Sequence, residues 1–262
     1  MDNIGYQEPV SRLEDALLLR RLKKIPAADT AGILALEQEI YEGIKQKPDN
    51  VNYRILLLYI QLMQGNRERA KALSYAVWEE GGVTEYDIRL LYARCLTGLG
   101  LLEMAKMLLL PQLASMSEIS FEEGLPFIEY ALAAGDEVLL GQAAALLKDE
   151  NIYMALHSFN DFYKSRSYWP HYCKFQEIIF KALKDTLCRY ICRIENDRGF
   201  TDIIAEFYLT LSEEECAERE DEINQKIIDY CAAQKIKKYY NYTISLKNVK
   251  SLPALADSGL MA

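Results

Sequence analysis

Apolar positions recur at intervals of three and four through YRILLLYIQLM (53–63), IRLLYARCL (88–96) and FIEYALAA (127–134), the spacing of helices that bury one face. Each stretch runs into a glycine, and Gly65, Gly100 and Gly135 are 35 residues apart. Five residues beyond each glycine stand Ala70, Ala105 and Leu140, with Ala35 one period earlier. Leu58, Ala93 and Ile128 share a second register. A glycine can end a helix in the left-handed conformation, and a small or aliphatic residue five places on lets a return helix pack closely. Asn66, Leu101 and Asp136 are placed to start those return helices. One such hairpin cannot cover its own apolar stripe, so the pattern calls for stacked copies. Residues 11–24 and 31–46, split by Ile25-Pro26-Ala27-Ala28-Asp29, read as a degenerate leading pair.

Beyond residue 150 the period stops. Residues 151–197 read as linking helices, the last running from about 171 to 195 with Phe175, Ile178, Ile179, Leu183, Leu187, Tyr190 and Ile191 on its stripe. Asn196-Asp197-Arg198-Gly199 then makes a turn. FTDIIAEFYLTL (200–211) alternates as a strand, although Ile203, Ile204, Phe207 and Leu211 also fit helical spacing. Ser212 and Glu215 form a capping box ahead of a helix to about Gln234, whose first turns carry seven acids between 213 and 222. Its inward stripe is Ile223, Ile227, Tyr230 and Cys231. Tyr240, Tyr242, Ile244 and Leu246 alternate with polar residues as a second strand, which makes 198–250 a β-α-β element. Two strands are too few to stand alone, so this element must pack on the helices or pair with a second chain as a homodimer. Residues 251–262 read as a flexible tail. The fold class expected is mainly α, a helical superhelix over 1–150 followed by a small C-terminal α/β element.

The 35-residue period, its glycines and small positions, and the proline turn Pro48-Asp49-Asn50 resemble the tetratricopeptide repeat over residues 10–150, without that family's early Trp. Pro126 inside FEEGLPFIEY departs from the pattern and predicts a kink, although Ser120 and Glu123 offer a capping box. The resemblance implies a concave groove faced by Asn52, Ile55, Tyr59, Asp87, Leu90, Arg94, Glu122, Leu125 and Glu129, the polar members being candidate partner contacts. The Lys/Asn/Arg set with which chaperone-binding members clamp a peptide carboxylate is missing from those positions. The function this implies is that of a non-enzymatic scaffold or adaptor for a protein or peptide.

Charge changes the picture only regionally. The chain carries 39 acids and 30 bases, a net −9, and residues 1–150 hold −8 of it, which argues against a chain-wide surface for polyanions. The stretch around Lys235, Lys237, Lys238 and Tyr239 is basic, aromatic and free of acids, and is the alternative candidate, a contact for single-stranded nucleic acid. Its competing reading is an edge strand guarded by lysine. Six cysteines outside loop-rich spacings suit reduced thiols, and the lack of a secretory signal or an apolar run of membrane-span length suits a cytoplasmic protein. His157 and His171 lack partners at metal or triad spacing; Cys188 and Cys192, with Cys173 or a histidine, make only a weak zinc pattern. Nucleotide, esterase and zincin motifs are absent, so neither cofactor nor metal is expected.

Overall fold

In a computed structural model that describes residues 8–83, 85–197, 200–236 and 242–257, Gly65, Gly100 and Gly135 all take left-handed backbone, with φ of 76°, 74° and 66°. They share one helix-closing bond. The N–H groups of Asn66, Leu101 and Asp136 donate to the carbonyls of Gln61, Leu96 and Ala131 at 2.8 Å, the six-to-one bond of a Schellman ending.

The chain opens with α1 (Glu8–Leu22) and α2 (Thr30–Gln46). Three pairs follow: α3 (Val51–Met63) with α4 (Arg67–Glu80), α5 (Tyr86–Gly98) with α6 (Leu102–Leu113), and α7 (Phe121–Ala134) with α8 (Glu137–Leu146). Corresponding helices of successive pairs begin 35 residues apart. Within each pair the helices pack on one another, and α3, α5 and α7 pack in series. Ala70, Ala105 and Leu140 are all fully buried, as are Leu58, Ala93 and Ile128. Ala35 breaks the register: it is exposed, because α2 turns Ile33, Leu36 and Ile40 inward instead. The Ser120–Glu123 capping box forms, and α7 continues through Pro126 as one helix.

Two more helices, α9 (Glu150–Ser165) and α10 (Trp169–Leu183), lead into a sheet made of β1 (Leu187–Asp197), β2 (Phe200–Leu209) and β3 (Tyr242–Asn248), with α11 (Glu213–Ala233) between the last two strands. The expected helix over 171–195 is therefore corrected, since it ends at Leu183 and its remainder is a strand. Every residue from Leu187 to Cys192 is buried, and a strand covered on both faces loses the polar alternation that would have marked it. Segment 200–211 settles as strand from Phe200 to Leu209. The sheet order is β1-β2-β3, β1 antiparallel to β2 and β2 parallel to β3, so β2-α11-β3 is the anticipated β-α-β unit with an additional strand beside it. The Ser212–Glu215 capping box opens α11, and Ile223 and Cys231 are buried beneath it.

That third strand supplies the hydrogen-bonding neighbour the two-strand reading lacked, and the helices cover it. The outer edge of β3 is also partly closed within the chain: the Leu246 N–H donates to the Glu220 carboxylate at 2.8 Å. Of the expected tail, Leu252 to Asp257 packs down, with Leu252, Ala254 and Leu255 buried. The Leu252 carbonyl accepts from the Ala27 N–H at 3.0 Å, and the Ala256 N–H donates to the Lys23 carbonyl at 2.8 Å. Residues 258–262 lie outside the described residues. One apolar core runs through helices and sheet alike. No helix among the described residues is long and apolar enough to cross a membrane.

Candidate functional site

The residues expected to face a groove form two rungs, each repeating at 35: Asn52, Asp87 and Glu122 near the helix starts, and Tyr59, Arg94 and Glu129 two turns further on. Between them Ile55, Leu90 and Leu125 are buried. The structure treats the two rungs differently.

The inner rung lies under the chain's own strand. β1 packs against α3, α5 and α7, and Gly98 permits the closest approach, since a Cβ there would sit 2.9 Å from the Cys188 carbonyl oxygen. From β1 the fully buried Arg189 donates through Nη1 to the Arg94 carbonyl at 2.8 Å and through Nη2 to Glu129 Oε2 at 3.3 Å. Arg94 grips the same carboxylate with two bonds of 2.8 Å, from Nε and Nη2. Tyr59 and Glu129 are 1% and 0% exposed and Arg94 7%, so this rung is interior. Arg67 adds a second fastening at the start of α4: its Nε donates to the Leu187 carbonyl at 2.9 Å and its Nη2 to the Lys184 carbonyl.

Two guanidinium groups share one carboxylate here, and they fare unequally. Burial, reinforced by the nearby Arg94 charge, pulls the Arg189 guanidinium below its ordinary range. Against the desolvation of its own burial, the paired Glu129 holds Arg94 above that range. Burial pushes the hydroxyl of Tyr59 and the thiol of Cys95 up to about 12, so neither ionises near neutrality beside the triad.

The outer rung stays partly open. Asn52 is buried and donates to Asp15 at 3.0 Å, whereas Asp87 and Glu122 are exposed. Both acids sit in the first turn of their helices, α5 and α7, where the helix dipole favours a negative charge. A cleft of about 340 Å³ lies between these helix starts, walled by Asp87, Glu122, Glu123 and Arg94, with Lys23 and Leu255 on the far side. The Lys23 ammonium is 3.9 Å from Asp87. Backbone and side-chain hydrogen bonds from Ser120 hold the Glu123 carboxyl below the usual carboxylate range. Of the six groove candidates, the exposed Asp87 and Glu122 thus meet at one cleft with the largely buried Arg94 on its wall, and Asn52, Tyr59 and Glu129 are interior.

Of the basic candidates, Lys235 is exposed just past α11, while Lys237, Lys238 and Tyr239 lie outside the described residues. Tyr242 is half-buried, and its hydroxyl accepts from Gln176 Nε2 at 2.9 Å. His171 meets the Tyr230 hydroxyl at 2.8 Å, and His157 pairs with Asp161 at 3.0 Å. Cys188 and Cys192 are buried on β1, and burial raises both thiols, Cys188 to about 12. Among the described residues no group of three or more His, Cys, Asp or Glu side chains converges on a point that could hold a metal.

Sequence reasoning passed over Arg189 and Arg67. The available signal was an arginine between buried residues in LCRYICRI, which the helical reading of that segment concealed. Comparison of the chain with protein-family models, with curated proteins and with solved structures returned no match.

Proposed function

We propose that the protein is a non-enzymatic, tetratricopeptide-like adaptor that holds a segment of a protein partner in the cleft between the starts of α5 and α7. The observation that carries this reading is the series of helix pairs offset by 35 residues, whose shared face is filled by β1 at one end and open at the Asp87–Glu122 end. A stacked helical array places side chains from successive repeats along one line, which suits an extended peptide better than a small substrate. With Arg94 paired to Glu129 and Lys23 set against Asp87, the exposed Glu122 and Glu123 leave the mouth acidic, which favours a segment carrying lysine or arginine, and the cleft volume accommodates a few side chains. Arg94, the one triad member on the cleft wall, is held in place by Glu129 behind it, so the partner meets a preorganised side chain there.

The test is panning of a random-peptide display library on the wild-type protein and on the Asp87→Lys/Glu122→Lys variant, with helicity checked by circular dichroism. Basic peptides enriched on the first and lost on the second support the proposal. Enrichment indifferent to both substitutions removes the cleft as the binding face. A capture from native lysate with and without nuclease separates this reading from nucleic-acid binding, because recovery of nucleic acid without protein overturns it.

A further inference from the structure

Two segments of the chain itself lie against the face shared by α5 and α7, and they are fastened unequally. β1 is the first: its Arg189 reaches the Arg94 carbonyl and the Glu129 carboxylate, and Arg67 of α4 donates to two carbonyls at its start. The second follows β3. After the single turn Val249–Ser251 the backbone is extended at Leu252, and Leu255 comes to the wall of the α5–α7 cleft beside Leu90, Leu91 and Arg94. Leu90 is an apolar groove position, so Leu255 stands where the side chain of a bound segment would stand.

Main-chain bonds tie this second segment to the connection between α1 and α2. The Ala27 N–H donates to the Leu252 carbonyl at 3.0 Å and the Ala256 N–H to the Lys23 carbonyl at 2.8 Å, so 252–256 runs antiparallel to 23–27. Leu252, Ala254 and Leu255 are buried, while Ala256 and Asp257 are exposed. LPALAD carries no polar side chain apart from that exposed Asp257, so backbone hydrogen bonds and aliphatic burial are what seat it. Such a fastening depends little on sequence: main-chain pairing supplies affinity, and pockets for alternate side chains supply the selection.

We infer that segment 252–257 is an exchangeable strap, a ligand of the cleft carried by the chain itself, which a partner's extended segment with aliphatic residues three apart displaces by pairing with residues 23–27. This rests on the reading of the α5–α7 cleft as a peptide site and adds its regulation. A tethered strap competes at high effective concentration, so a partner binds at full strength only to the molecules whose strap is released. Charge favours the partner in that exchange. The strap carries an acid, Asp257, two residues after Leu255, whereas a partner with lysine or arginine there adds attraction to the acidic mouth at Glu122 and Glu123.

Hydrogen exchange and peptide titration on the full chain test this. The amides of Ala27 and Ala256 are expected to exchange through a local opening, at least about tenfold faster than those of the buried Ala93 and Ile128 in α5 and α7. A synthetic peptide of residues 250–257, KSLPALAD, should bind the Leu255→Ser variant about tenfold more tightly than wild type, because a weakened strap leaves the cleft open in more molecules. Exchange at Ala27 and Ala256 as slow as at Ala93 overturns the proposal, as does a peptide that binds neither protein or both equally. If Leu255→Ser loses helicity, Ala256→Pro, which removes the N–H donated to Lys23 at an exposed position, replaces it in the titration. Neither readout uses an external partner, so the strap stands or falls separately from the library panning.

Discussion

Replacing Gly98 with alanine tests whether β1 is seated on α5. In an ordinary helix interior that change stabilises by about 1 kcal/mol, because alanine is the better helix former. Here the added Cβ would stand 2.9 Å from the Cys188 carbonyl oxygen and 3.1 Å from the Arg189 Cα, both backbone atoms that no rotamer change can move. The strand must therefore lift by several tenths of an ångström, which also lengthens the Arg189 bonds to Arg94 and Glu129. Overpacking of this kind costs about 1–3 kcal/mol, which leaves a net loss of up to roughly 2 kcal/mol after the propensity gain. Gly141, inside α8, is the matched control, since its nearest neighbour would be Asn160 Nδ2 at an unstrained 3.5 Å. Urea denaturation followed by circular dichroism should show Gly98→Ala less stable than wild type and Gly141→Ala more stable. Equal stabilisation by both substitutions would refute the docking of β1 on α5.

Glu129→Ala should cost about 3–5 kcal/mol, because it strands two buried guanidinium groups, while Arg189→Met, which leaves the Arg94–Glu129 pair intact, should cost far less; comparable losses in urea melts would contradict the triad. Ser167 and Lys235 are exposed non-glycine residues at φ of 56°, and each closes its helix with the same six-to-one bond as the glycines. Changing either to glycine should stabilise by about 1 kcal/mol, read as a raised melting temperature. Glu206 is desolvated, yet hydrogen bonds from Lys247 and Tyr208 and the Arg193 charge hold its carboxyl below the usual range. A depressed carboxylate adds stability that is present above its unfolded pKa and lost as pH falls through its folded pKa. Stability of wild type should therefore decline on acidification more steeply than that of Glu206→Gln, and parallel acid limbs would exclude this contribution.

Local chemistry was legible in the sequence. Gly65, Gly100 and Gly135 announced their helix ends because a left-handed residue is a property of the backbone at one position. The capping boxes at Ser120 and Ser212 likewise depend only on residues three apart. The β2-α11-β3 unit could be read because β3 keeps one wet face and so retains its alternation. Where burial was complete the pattern failed: β1 is covered on both sides, and its continuous apolar run suits a helix as well as a strand.

Only the tertiary structure decided what fills the face shared by α3, α5 and α7. The repeat register aligned Tyr59, Arg94 and Glu129 on that face, yet nothing local distinguishes a surface awaiting a partner from one covered by a strand whose Arg189 lies 60 residues beyond Glu129 and 95 beyond Arg94. Arg189 settles it, since its guanidinium finds its acceptors only when β1 lies across the helices. The C-terminal Leu255 likewise walls the cleft because the segment around it bonds to Lys23 and Ala27 at the other end of the sequence. Helix ends follow from interactions over a few residues, and so the sequence by itself determined them; the occupant of a groove follows from a sum of contacts between distant segments, which exists only once the chain has folded.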